Sequence, residues 1–365
     1  MEQRRIVELW HQGGASVLAT LVRVEGSSYR RPGARLLLAA NGSHAGTISG
    51  GCLESDVVRR AGWMVRQGAV IERYSTTFDD TAELPFGLGC GGTLDLLLEP
   101  ANTPECDAQL QAMEAALNGQ RRIVVTYFPK DEKTLRRIVL DDAGTVVFAS
   151  EGLSEAKIDC ARALQPGAEY EGRFVEELRP PQRLFLLGAG DDAQPMVSLA
   201  ALLGWSITIA DGRIQLARPE RFPGATCVTV LDSSDIVPLQ IGPEDAVVIM
   251  THSYEQDREL LAALLPLRPR YLGLLGARHR SSLLVSEAAA MLSWDVAACC
   301  ERIYAPVGLD LGGDGPEAIA LAVIAEAQAC CQGKLGASRR LTAEDVAEQI
   351  ARGGASRYLQ VQCAL

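Results

Sequence analysis

No stretch of the chain approaches the ~20 consecutive apolar residues that a membrane-spanning helix needs. The first ten residues, Met1 to Trp10, carry charge within a helical period and have none of the apolar run of a signal peptide. A cytoplasmic protein with no membrane partner is expected. Histidine is scarce, four in all with none at ligand spacing, and no Cys-x-x-Cys occurs. Both absences argue against a structural zinc site. Positive charge is in deficit: 35 Lys and Arg against 46 Asp and Glu leave a formal net charge of −11. That balance argues against nucleic acid or an anionic membrane surface as the main partner, while leaving room for a local basic pocket. Internal repeats and low-complexity tracts are missing too.

What remains is ample material for packed cores. At 365 residues and 47% hydrophobic content, two domains are the default. The ten cysteines would suit a disulfide scaffold only in a much smaller chain. Most read as core fillers, and two pairs are adjacent, Cys299-Cys300 and Cys330-Cys331. Two others stand inside glycine clusters: Ile48-Ser49-Gly50-Gly51-Cys52-Leu53-Glu54 and Gly87-Leu88-Gly89-Cys90-Gly91-Gly92. Glycine permits positive φ and a close backbone approach, so each thiol is expected among N–H donors rather than side chains. Cys52 also precedes an expected helix over 53–66, whose positive end favours a thiolate. The alternative is two tight turns carrying small buried cysteines. Two such clusters in one half of the chain point to a soft, anionic ligand.

Four segments are expected. Residues 1–100 form an α+β unit, with a strand over 16–24, a hairpin over 36–48 turning at Asn41-Gly42-Ser43, the Cys52 helix, and strands over 70–74 and 93–98. Residues 101–178 connect, with a helix over 106–117, a strand over 122–128 and a hairpin near Asp142-Ala143-Gly144. After Arg179-Pro180-Pro181 the pattern alternates strand and helix through 332. Strands are expected over 183–187, 206–210, 227–231, 246–250, 271–275 and 302–304, and helices over 193–203, 254–265, 280–292 and 316–331. Continuous apolar strands of this kind belong to a doubly wound, Rossmann-like parallel sheet. Residues 333–365 form a tail with a capped helix start near Leu341-Thr342.

The first strand of the doubly wound half ends in Gly188-Ala189-Gly190-Asp191-Asp192-Ala193, a variant of the dinucleotide fingerprint. Asp211, 23 residues after Gly188, stands near the offset of a ribose-binding acid. A pyrophosphate would sit where Asp191 and Asp192 cap the helix. Two like charges ~5 Å apart repel by roughly 3 kcal/mol at an effective dielectric near 20. The same acids stabilise a helix start with no ligand at all. NAD(P) is therefore a doubtful ligand. Loops at Thr251-His252, Gly276 to Ser281 and Gly308 to Pro316 follow other strand ends, where such folds bind ligands. His252 is either an acid/base group or a hydrogen-bonded loop residue, and Arg278 and Arg280 either ligand contacts or ion-pair partners.

These residues resemble the XdhC/CoxI family of accessory factors for molybdenum hydroxylases. The matching segments are Glu25-Gly26-Ser27-Ser28-Tyr29-Arg30-Arg31-Pro32-Gly33-Ala34, Ser49 to Glu54 and Gly87 to Gly92. In the second half they are Met250-Thr251-His252, Gly273-Leu274-Leu275-Gly276 and Ala305 to Gly312. The resemblance implies an N-terminal XdhC/CoxI-type α+β domain followed by the Rossmann-like one. It also implies a chaperone without turnover of its own. Such a protein binds molybdenum cofactor (molybdopterin), guards it, presents it to a cysteine desulfurase and inserts it into a xanthine dehydrogenase-like apoenzyme; a homodimer is expected. The cofactor pairs a phosphate-bearing pterin with a dithiolene-bound soft metal, so it needs N–H cradles, a cation and a thiolate. Arg30 and Arg31 would meet the phosphate. Cys52 and Cys90 would approach molybdenum, or one would carry sulfur. Gly50, Gly51, Gly89, Gly91 and Gly92 would bring backbone close. Glu54 would accept pterin N–H groups or cap its own helix. In the second half Gly188, Gly190, Asp211 and His252 are the candidate binding residues. An NAD(P)-dependent oxidoreductase built on that half is the alternative.

Overall fold

The computed structural model describes residues 1–51, 53–75, 92–129, 134–168, 170–231, 235–336 and 348. The chain divides into two compact units, one of Met1–Gln182 with Ala201–Ser206, the other of Arg183–Ala200 with Ile207 onward.

The first unit opens with α1 (Glu2–His11), followed by β1 (Ala15–Glu25), β2 (Arg35–Ala39), β3 (His44–Gly46), α2 (Glu54–Met64), β4 (Val70–Ser75) and β5 (Thr93–Pro100). The strands form one antiparallel sheet in the order β3-β2-β1-β5-β4. Alternation along β1 sorts its side chains by face. Val17, Ala19 and Leu21 join Leu96 and Leu98 of β5 against Leu53, Val57 and Ala61 at α2. Leu18 points to the other core, with Ile6, Val7 and Leu9 of α1. Each large side chain buried this way contributes roughly 1.5–3 kcal/mol, enough to seat α2 firmly although no side chain caps its start.

That second core also takes in Cys106, Leu110 and Met113 of α3 (Pro104–Leu117). This helix starts two residues before the expected position because the Thr103 hydroxyl accepts the Cys106 N–H at 3.2 Å and Pro104 suits the first turn. Then come β6 (Arg122–Tyr127), β7 (Arg136–Leu140), β8 (Val146–Ala149), α4 (Glu155–Arg162) and β9 (Arg173–Leu178), with sheet order β8-β7-β6-β9. Among the described residues of this unit two ion pairs are buried. Arg137 and Glu99 pair bidentately at 3.0 Å, and the Arg35 guanidinium meets Glu176 and also bonds the Gly33 carbonyl at 2.9 Å.

The second unit contains β10 (Arg183–Leu187), α5 (Ala193–Leu202), β11 (Ser206–Asp211), β12 (Cys227–Val230), β13 (Ala246–Ile249), α6 (Tyr254–Leu264), β14 (Tyr271–Leu274), α7 (Arg278–Leu292), α8 (Val296–Cys300) and α9 (Pro316–Cys331). It is the expected doubly wound parallel sheet, in the order β12-β11-β10-β13-β14. Strand order reverses around β10, so the ends of β10 and β13 form the topological switch point. The strand expected over 302–304 is a single bridge, Tyr304 to Gly273, because a three-residue run offers little ladder. Among the described residues no helix is long and apolar enough to cross a membrane. The tail helix expected near residue 341 lies outside the described residues.

Candidate functional site

The loop between β3 and α2 turns sharply, with φ of +91° at Gly50 and +119° at Gly51. This geometry aims four successive N–H groups inward. The Glu54 carboxylate receives all four: Ile48 at 2.9 Å, Ser49 at 2.9 Å, Gly50 at 3.2 Å and Gly51 at 2.9 Å. The Ser49 hydroxyl donates to it as well and accepts the Leu53 N–H at 2.9 Å. Burial pushes the Glu54 pKa up, but the Ser49 hydroxyl and the backbone donors outweigh it and bring the pKa down to about 2. The N–H cradle expected for a ligand is thus filled by the chain's own anion. Glu54 is occupied with the loop instead of offering its oxygens to a pterin.

The second loop, between β1 and β2, holds Tyr29, Arg30 and Arg31. Arg30 is committed to Glu2 at 2.7 Å, and the other Glu2 oxygen accepts the Thr47 N–H at 2.7 Å. Glu2 therefore ties one loop to the other from the start of α1, and Arg30 is a tie rather than a free phosphate ligand. Arg31 is exposed and has no ion pair among the described residues. Tyr29 is 76% exposed, yet its ring lies on the Gly50 backbone: a Cβ at Gly50 would stand 2.8 Å from it. At Gly92 a Cβ would stand 2.1 Å from the Ser27 carbonyl oxygen. Only glycine allows these two backbones to meet. The loop between β1 and β2 thereby touches Gly50 of the first glycine cluster and Gly92, the described end of the second. Cys52, Gly89, Cys90 and Gly91 lie outside the described residues.

In the second unit the turn after β10 is closed by side chains. Gly188 has φ +134°, and a Cβ there would stand 2.2 Å from the Met250 carbonyl oxygen at the end of β13. Asp211 accepts the Ala189 N–H at 2.7 Å and the Arg213 N–H at 2.8 Å, and its carboxylate pairs with the Arg213 guanidinium at 2.7–2.9 Å. Burial raises the Asp211 pKa, and these contacts more than reverse it, for a net lowering. The acid expected at a ribose is engaged by Arg213 and by the turn itself. Asp191 pairs with Arg221 at 2.7 Å, and Arg221 also bonds the Ala189 carbonyl at 2.6 Å. Asp192 meets His252 Nε2 at 2.8 Å, near Gly190, where a Cβ would stand 2.4 Å from an Asp192 oxygen. Both acids that were expected to repel a pyrophosphate are thus bonded to side chains of the chain itself. His252 reaches Asp192 from a backbone with φ +63°, a conformation rare outside glycine. Arg280 is an ion-pair partner, held to Asp257 at 2.6 Å.

Sequence reasoning missed Glu2, Arg213 and Arg221 as organisers. Arg213 was the one within reach, two residues after Asp211 at a strand end. Glu2 and Arg221 act 28 and 30 residues from their partners, beyond any local pattern.

Comparisons with known proteins follow the same division. Residues 9–75 match the model of the XdhC and CoxI family, and residues 184–327 that of the XdhC Rossmann domain. A Bacillus subtilis (strain 168) protein, named as a probable subunit of xanthine dehydrogenase, is 30% identical over 314 residues, 85% of this chain and 92% of its own length. The Escherichia coli (strain K12) molybdenum cofactor insertion chaperone PaoD is 26% identical over 324 residues, 88% of this chain and 86% of its own. A crystal structure of a xanthine dehydrogenase from Bacillus halodurans superposes with a TM-score of 0.78 at 27% identity, covering 95% of this chain and 99% of that one.

Proposed function

The chain belongs to the XdhC/CoxI family, and from that premise we propose that it is a maturation factor for a xanthine dehydrogenase-type molybdoenzyme. In this reading it binds molybdenum cofactor in its first unit, shields it from oxidation, supports its sulfuration by a cysteine desulfurase and delivers it to the apoenzyme. It does so as a cytoplasmic homodimer, without a turnover of its own. The relatives named for xanthine dehydrogenase and for cofactor insertion support the client class and the cargo.

The observation that carries the reading is that one loop meets Gly50 through Tyr29 and Gly92 through Ser27. The donor set suits the cargo. Tyr29 offers an exposed aromatic surface to a flat ring system, and Arg31, exposed and without an ion pair among the described residues, offers a cation to a phosphate. Cys52 follows Gly51, and Cys90 precedes Gly92 by two positions. As thiolates they supply soft ligands for molybdenum or an acceptor for sulfur. Arg30 serves by holding the loop that bears Arg31.

The dinucleotide alternative is not favoured. Asp211 is bonded to Arg213 and to Ala189, and the turn's carbonyl and acids are bonded to Arg221 and His252.

Transfer of cofactor to a molybdenum-hydroxylase apoenzyme tests the proposal. Wild type should activate the apoenzyme, and Cys52→Ala and Cys90→Ala should each fail to. Normal loading and transfer by both variants would remove the thiols from the mechanism.

A further inference from the structure

Glu54 invites a different role from the ligand contact first expected of it. Its carboxylate is buried, 8% exposed, and meets no cation among the described ion pairs. Five neutral donors converge on it: four consecutive backbone N–H groups and the Ser49 hydroxyl. Such a concavity of successive N–H groups is the usual form of an anion nest. Here the anion is a side chain of the helix that follows. Gly50 and Gly51 stand at φ +91° and +119°, so the backbone shape that forms the nest is one that a chain seldom holds unaided. Leu53, at the other end, is fully buried in the core beneath α2. The loop is thus fastened from both sides.

We infer that Glu54 is a positioning residue whose carboxylate fixes the 48–51 loop before any ligand arrives, so that these N–H groups are not the cradle for the cargo's phosphate. The inference rests on reading the first unit as the cofactor-binding one. It moves phosphate recognition to Arg31 and leaves the loop the task of seating the Tyr29 ring on Gly50. Preorganisation of this kind lowers the ordering cost of binding.

Amide hydrogen exchange on the full chain tests it, with pterin retention measured on the same preparations. In wild type the amides of Ile48, Ser49, Gly50 and Gly51 should be protected, and added inorganic phosphate should leave that protection unchanged. In Glu54→Gln, which keeps the size but turns an amide NH2 toward N–H donors, these four should exchange at least about tenfold faster, the scale of a lost hydrogen bond to a charged group. Val57 and Ala61 in α2 should stay protected, and pterin retention should fall. Glu54→Asp, which keeps the charge, should recover part of both; Ser49→Ala gives a milder version of the same loss. Equal protection in wild type and Glu54→Gln would overturn the inference. So would phosphate restoring protection in Glu54→Gln, because the nest would then be a ligand site that Glu54 merely plugs. If wild type retained no pterin while the exchange pattern held, the functional reading would fail and the positioning role would stand.

Discussion

The turn at Ser49 to Gly51 in the first unit directs three backbone N–H groups, and the turn at Gly188 to Gly190 in the second directs one, at a buried carboxylate of the chain itself. They differ in how that carboxylate is kept charged. Glu54 relies on neutral donors, four N–H groups and one hydroxyl. Asp211 relies mainly on the Arg213 guanidinium, with two N–H groups beside it. Around the first turn stand an exposed aromatic ring and Arg31, a cation with no ion pair among the described residues, whereas around the second the acids and the carbonyl are taken by Arg213, Arg221 and His252. A glycine cluster thus marks a close backbone approach in both units, and the neighbouring side chains decide whether room for a ligand is left.

Substitutions at the buried carboxylates and the glycine turns put this contrast at risk. A third buried carboxylate sets the upper end of the scale, since Glu99 is fully buried and its partner Arg137 nearly so. Glu99→Gln leaves that guanidinium without its counter-charge and should cost about 3–5 kcal/mol in urea unfolding. A result below about 1 kcal/mol would mean that the pair is not buried as described. Next comes Gly188→Ala, which drives a Cβ into the Met250 carbonyl at a φ of +134°. It should lose roughly 2–3 kcal/mol, and a neutral result would show that β10 and β13 do not meet there.

Acid titration separates the two turns further. The Glu54 pKa is lowered from 4.5 to about 2. Its contribution is therefore complete above pH 4.5 and is lost as pH falls from there toward 2, on the order of 3 kcal/mol in all. Glu54→Gln should flatten that acid limb; an unchanged limb would deny the lowered pKa. Asp211 shifts in the same direction, so Asp211→Asn should also blunt the acid limb. Salt tells them apart, because Arg213 is 39% exposed and its attraction is screened whereas the donors of Glu54 are neutral. Raising ionic strength should shrink the penalty of Asp211→Asn by a few tenths of a kcal/mol and leave that of Glu54→Gln unchanged. The smallest effect is a null one: NADH should give no heat of binding by calorimetry, and tight binding abolished by Asp211→Arg would restore the dinucleotide reading.

Much of the fold was legible because burial on a parallel sheet demands apolar strands and Pro or Gly at the junctions. The helix at Pro316–Cys331 and the strands at Arg183–Leu187 and Thr93–Pro100 stand where their patterns placed them. The helix Glu155–Arg162 and the strand Arg173–Leu178 escaped notice. The former buries only Ala161, and the latter has two glutamates, Glu176 and Glu177, that are tied to arginines. At the site, local signals identified the glycine clusters but not what filled them. Glu54 stands three residues beyond Gly51, close enough to be recognised as the loop's own anion, yet its proximity to a helix start made it look like a cap or a ligand contact. The tie from Arg30 to Glu2 and the approach of Gly92 to Ser27 join residues far apart in sequence, and no periodicity announces them.

The most direct measurement is the molybdenum and pterin content of the protein purified without oxygen from a molybdate-fed host, wild type beside a Cys52→Ala/Cys90→Ala double variant. Cargo held in the first unit requires both elements to copurify with wild type in comparable molar amounts and to be lost from the double variant. Equal content in the two proteins, or none in wild type, would contradict a cofactor site built on the glycine loops of the first unit.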